Sequence, residues 1–111
     1  MADVTQIFAQ NGPLPLKTSV QIQSNMPSVV TVAGSVWANA AQQMIGIALL
    51  IDGEVAGMAT IFANPGSQHM SVVPIEFPYT FTIGPHEFTL NPLNNATTSD
   101  KNDYYCVTVQ Y

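Results

Sequence analysis

Ile45-Gly46-Ile47-Ala48-Leu49-Leu50-Ile51-Asp52-Gly53-Glu54-Val55-Ala56-Gly57-Met58-Ala59-Thr60-Ile61-Phe62 holds the strongest structural signal in the chain. Two apolar runs, Ile45–Ile51 and Val55–Phe62, flank Asp52-Gly53. An Asp-Gly pair in that setting predicts a hairpin closed by a type I′ turn. Both central residues of such a turn need φ > 0, which Asp and Gly tolerate. A helix from Ala38 to Leu50 competes, because Ala, Gln and Met are good helix formers. Gly46 and the β-branched Ile45, Ile47 and Ile51 favour a strand.

Outward from this hairpin, turn signals recur about every 8–12 residues, the spacing of a β-sandwich or barrel. They are Asn11-Gly12-Pro13, Asn25-Met26-Pro27, Asn64-Pro65-Gly66, Gly84-Pro85 and Asn94-Asn95. Eight prolines along the chain break helices nearly everywhere. Between the breaks, apolar residues alternate with polar ones. Val20 and Ile22 share a face, as do Tyr79, Phe81 and Ile83, then Phe88 and Leu90, and then Tyr105, Val107, Val109 and Tyr111. This is the pattern of half-buried antiparallel strands. Ser28–Trp37 and Met44–Ile51 are apolar on both faces, as central or interface strands are. The expectation is one all-β domain over residues 1–111. It is an antiparallel two-sheet β-sandwich of about eight strands, with jelly-roll or Greek-key connections.

Composition narrows the function. The 111 residues are 47% hydrophobic and 8% charged, with two Lys, no Arg and a net charge of −5. Ordinary domains are about 25% charged, so amides and hydroxyls carry this surface. Nucleic-acid binding is excluded, because each neutralised phosphate needs a cation. The longest apolar run is eight residues, Met44 to Ile51, against about 20 for a membrane-crossing helix, so membrane insertion is not expected. Asp3 stands where an export signal carries Lys or Arg, which predicts cytoplasmic synthesis, with release or particle association if the chain acts outside the cell. Charge is depleted at subunit interfaces, so a homo-oligomer is expected. One cysteine, Cys106, permits no internal disulfide.

Enzyme chemistry is not legible. There is no Gly-x-Ser-x-Gly elbow, no Gly-rich phosphate loop and no Cys-x-x-Cys. A zinc site would need ligands scattered along the chain. Cys106 is expected to pack inside the sandwich, where a free thiol is inert. His69 and His86 are expected at strand ends, bonding backbone carbonyls or touching a ligand at a loop rim. Trp37, the only tryptophan, is expected to anchor the core rather than stack on a sugar.

One loop differs in kind. Asn94-Asn95-Ala96-Thr97-Thr98-Ser99-Asp100-Lys101-Asn102-Asp103 concentrates amide and carboxylate oxygens. Calcium takes six to eight oxygens at about 2.3–2.6 Å, so Asp100, Asn102 and Asp103 are candidate metal ligands. Asn95 belongs to the same candidate ligand site. Asp52 would join it if the fold brings the two loops to one end. The alternative is that Asp103 closes an Asx-turn and sets the register of the last strand.

Asp100-Lys101-Asn102-Asp103 before a terminal strand resembles the acidic loop of small soluble bacterial calcium-dependent lectins. That resemblance implies a β-sandwich whose calcium is ligated directly by sugar hydroxyls. Thr98 stands where the family pattern has Asp, and Asn94 where it has Glu, which leaves ligands for one ion at most. Gly84-Pro85-His86-Glu87-Phe88-Thr89-Leu90 and Asn102-Asp103-Tyr104-Tyr105 resemble TNF-like jelly-roll domains, which implies trimeric binding heads. The expected function is a non-enzymatic, oligomeric module that binds carbohydrate on a surface glycan, with calcium as candidate ion. The alternative is a structural or receptor-binding subunit of a phage, fibre or toxin assembly.

Overall fold

A computed structural model describes residues 3–111. The long strands are β1 (Val4–Asn11), β2 (Leu16–Ile22), β3 (Met26–Ala38), β4 (Gln43–Ile51), β5 (Glu54–Ala63), β7 (Ile75–Phe81), β8 (Gly84–Pro92) and β10 (Tyr104–Gln110). Two short strands, β6 (Met70–Ser71) and β9 (Thr97–Thr98), complete the order. The Asp52-Gly53 turn has φ of 54° and 87°, and Ile51 pairs with Glu54 across it. The expected I′ hairpin is therefore present, and the helical alternative is not.

That hairpin is the tip of a nested set. β4 pairs β5, then β3 pairs β7, β2 pairs β8 and β1 pairs β10, all antiparallel. The chain is in effect one long hairpin rolled onto itself. Cross-pairing of β10 with β3 and of β8 with β4 closes the roll into two sheets. One has the order β1-β10-β3 and continues through β6 and β7; the other is β2-β8-β4-β5. This is a β-sandwich with jelly-roll winding.

The core follows the alternation. Val30, Val32 and Val36 of β3 face Ile45, Ile47, Leu49 and Ile51 of β4, with Phe88, Leu90, Tyr105, Val107 and Val109 filling between. Each such side chain contributes about 1.5–3 kcal/mol when fully buried. A bulge between Gln6 and Phe8 lets the neighbours Ile7 and Phe8 both turn inward.

Some expected placements differ. Ile83 is 63% exposed, because it lies in the turn after β7, where the alternation ends. Tyr111 follows β10 and is 43% exposed. Cys106 is half-buried on the outer face, one residue out of phase with buried Tyr105 and Val107. Trp37 is likewise out of phase with Val36 and Ala38, so it lies half-buried on the outer face of β3 and does not anchor the core.

Candidate functional site

Asp103 organises the acidic loop. It is the one fully buried charged residue among those described. Its backbone N–H donates to the Asp100 carbonyl, and its Oδ2 accepts from the Asp100 N–H at 2.8 Å. These two bonds close a turn over residues 100–103 and lead the chain into β10. Asp103 thus fixes the entry into the last strand by reaching back three residues, and not by the Asx-turn expected of it, in which the side chain accepts from the N–H two residues on. Its Oδ1 accepts from the Ser35 hydroxyl at 2.8 Å and from His69 Nδ1 at 2.7 Å. Asp100 Oδ1 accepts from the Asn102 N–H. Asp100 Oδ2 lies 3.5 Å from His69 Nε2. The hydrogen bond to Asp103 and the charge of both carboxylates hold His69 above its ordinary value of 6.5. The Trp37 ring sits beside the imidazole, with centroids 6.0 Å apart.

The donor set does not fit a calcium ion held by Asp100, Asn102 and Asp103. Of the four carboxylate oxygens, three already accept hydrogen bonds from the chain. The fourth faces an imidazole nitrogen, and calcium prefers oxygen. Asn95 is exposed, and its carbonyl accepts from the Asn39 side chain. Asn94 staples the loop to β4 by donating to the Met44 carbonyl.

Asp52 does not join this loop. The acidic loop meets β3 at Ser35, whereas Asp52 binds His86, whose strand β8 adjoins β7 where β7 pairs Met26 of β3. Nine residues of strand separate Ser35 from Met26, which is roughly 30 Å. At its own end Asp52 accepts from the Glu87 N–H at 2.9 Å and from His86 Nδ1 at 2.6 Å. His86 Nε2 donates to the Thr82 carbonyl at 2.7 Å, so one ring nitrogen meets the expected backbone carbonyl and the other a carboxylate.

No catalytic array follows from either pair. Ser35 donates to Asp103 rather than to His69, and among the described residues no hydroxyl or thiol bonds His69 Nε2. An activated nucleophile needs that bond.

A feature with no signal in the sequence lies at the Asp52 end. A cleft of 140 Å³ opens between β1, β2 and β10. Ile7, Val20, Ile22, Met26 and Val109 make it apolar, and Thr5, Gln21, Gln23, Ser24 and Tyr111 bring hydroxyls and amides to it. The Tyr111 and Thr5 hydroxyls are 3.1 Å apart. No charged side chain lines it. Its residues come from four strands, with Met26 of β3 among them, and from a connection, so no spacing along the chain announces it.

No protein-family model and no curated protein sequence matches the chain. Solved structures share its fold. Dimeric latent PorU from Porphyromonas gingivalis superposes with a TM-score of 0.64 at 7% identity, over 98% of this chain and 12% of that one. A β-glucosidase from Paenibacillus barengoltzii gives 0.60 at 14% identity, over 96% and 10%. This chain thus spans only about a tenth of the length of each. A family 35 carbohydrate-binding module from Clostridium thermocellum gives 0.52 at 7% identity, over 97% of this chain and 90% of that one. At these identities the shared property is the β-sandwich fold.

Proposed function

We propose that this chain is a non-catalytic carbohydrate-binding module that takes a neutral sugar ring in the cleft between β1, β2 and β10. The observation that carries this reading is the chemistry of that cleft. A sugar presents an apolar C–H face and a rim of hydroxyls that act as both donor and acceptor. Here an apolar floor stands beside amides and hydroxyls that offer both roles, with no charge to desolvate. The volume of 140 Å³ is that of a single-ring ligand. A family 35 carbohydrate-binding module has the same fold at nearly the same length, which agrees with this reading.

Magnitude sets the rest. About 12 heavy atoms at about −0.3 kcal/mol each give about −4 kcal/mol, a Kd of about 1 mM. So weak a site becomes useful through several copies on one surface, where avidity adds about 10²–10⁴. Self-association is accordingly part of the proposal. The outer face of β4 and β5, with Met44, Val55, Met58 and Phe62 exposed, supplies an uncharged surface for it. The same face favours the second reading, a subunit of a larger assembly.

Calorimetric titration with neutral mono- and oligosaccharides, guided by a glycan array, tests the proposal. Gln21 and Gln23 are exposed, so Gln21→Ala with Gln23→Ala should weaken saccharide binding at least tenfold and leave the melting temperature unchanged. A blank array, or binding untouched by the double variant, overturns it.

A further inference from the structure

We infer that His69 and Asp100 form a binding site for a divalent transition-metal ion of the zinc class, with Asp103 as the carboxylate that orients the imidazole. Four distances carry this. His69 Nε2 and Asp100 Oδ2 are 3.5 Å apart. That is long for a charge-assisted hydrogen bond, which favours about 2.7–2.9 Å. It matches two ligands of one tetrahedral ion: with metal–ligand bonds of about 2.0–2.2 Å, the edge between them is about 3.4 Å. Behind the ring, His69 Nδ1 bonds Asp103 Oδ1 at 2.7 Å. A metal-bound imidazole typically donates its other N–H to a carboxylate in this way, which fixes its tautomer and strengthens Nε2 as a ligand. Asp103 is itself held by the Ser35 hydroxyl at 2.8 Å and by the Asp100 N–H at 2.8 Å. The carboxylate is therefore locked before any ion arrives.

The donor set selects the metal. His69, Asp100 and Asp103 offer ligand atoms within 4.8 Å of one another. Imidazole with carboxylate suits Zn²⁺, Ni²⁺ or Cu²⁺ rather than Ca²⁺. His69 and Asp100 are each 40% exposed, so an ion can enter and keep water in its remaining positions. The second histidine provides an internal contrast. Both ring nitrogens of His86 are bound to chain acceptors, and none is left for a metal. The site lies at the far end of the sandwich from the cleft, so it stands whether or not a sugar binds there.

Trp37 is the only tryptophan and lies against His69, so its fluorescence reports the site. Ni²⁺ added to the full chain should quench Trp37 saturably. Zn²⁺ should compete and raise the melting temperature, and Ca²⁺ should do neither. His69→Gln should abolish the quenching, and Asp100→Asn should weaken it at least tenfold. Asp103→Asn should weaken it about 10–100-fold, the usual effect of losing an orienting partner. Should that buried variant fail to fold by circular dichroism, the two exposed substitutions decide the matter alone. His86→Gln should leave the metal affinity unchanged. Absence of quenching at millimolar Ni²⁺ overturns the site. So does quenching that survives His69→Gln, which would place the ion elsewhere, at Cys106 for example.

Discussion

The two histidines are built on one plan and differ at a single nitrogen. Each gives Nδ1 to an aspartate, at 2.7 Å for His69 and 2.6 Å for His86. His86 then gives Nε2 to the Thr82 carbonyl. An ionised carboxylate and a carbonyl both only accept, so the two bonds are made together only when His86 carries a proton on each nitrogen. Burial pushes its pKa down, but the Thr82 and Asp52 acceptors outweigh burial and leave it raised above 6.5. Asp52 is held below 3.8, chiefly by the Glu87 N–H and also by His86, against its slight desolvation. A raised histidine contributes stability that is complete below pH 6.5 and lost as pH climbs through its folded value. A lowered aspartate contributes stability present above pH 3.8 and lost as pH falls through its folded value. The clamp is therefore strongest between these limits. Urea midpoints should fall from pH 6 to pH 9, with His69 adding to the same slope. Asp52→Asn keeps the turn, since Asn tolerates a φ of 54°, but should cost about 1 kcal/mol at pH 6 and flatten the alkaline fall. An unchanged slope in Asp52→Asn would show that His86 does not titrate there. At this scale the sequence marked Asp52 as a turn residue and Asp103 as a possible turn closure. It had no means of showing which histidine each would meet, 34 residues away.

Among the elements, β3 and β4 were the most legible and also misled. Period-two alternation put Val30, Val32 and Val36 inside, and they are fully buried. The same alternation puts Ser35 and Trp37 outside, beside His69. The signal for that outer-face cluster was thus in the strand, but the run of valines suggested a core tryptophan. Cys106 repeats the lesson on β10. In the sequence alone, Gly46 of β4 signifies only a poor helix former. Its physical reason is a close approach: a Cβ there would run into the Ala59 carbonyl of β5, and the Gly46 N–H donates to the Thr97 hydroxyl. The obstructing atoms are backbone, which cannot swing aside as a side chain does. Gly46→Ala should therefore destabilise by about 1–3 kcal/mol, the usual cost of overpacking. The expected result is a lower urea midpoint at unchanged m-value. A midpoint equal to that of the wild type would mean that β4 and β5 separate freely at this point.

Over the whole molecule, nested pairing explains what the sequence could not place. Rolling one long hairpin sends the Asp52-Gly53 tip and the acidic loop to opposite ends of a body 45 Å long. It also assembles a cleft from β1, β2 and β10 that no local pattern contains. The charge deficit takes on a location too. The outer face of β4–β5 places Met44 opposite Phe62 and Ala48 opposite Met58, with no charged residue among these pairs. Phe62 is 47% exposed and Met44, directly opposite it, is 48% exposed, which is unusual for neighbouring large apolar side chains on a free monomer. If this face joins two copies, the wild-type chain should sediment above monomer mass at micromolar concentration. A lysine in the middle of such a face must lose its hydration on association, which costs far more than the contact returns. Phe62→Lys should therefore sediment as a monomer. Because Phe62 is exposed in the single chain, its intrinsic stability should shift by no more than about 0.5 kcal/mol. The variant should also keep its affinity for a single sugar ring while losing avidity on a multivalent glycan surface, since the cleft lies between β1, β2 and β10, away from this face. A wild-type chain that remains monomeric at high concentration would remove both self-association and the avidity that rests on it, and would leave the single-ring site to stand on its own affinity.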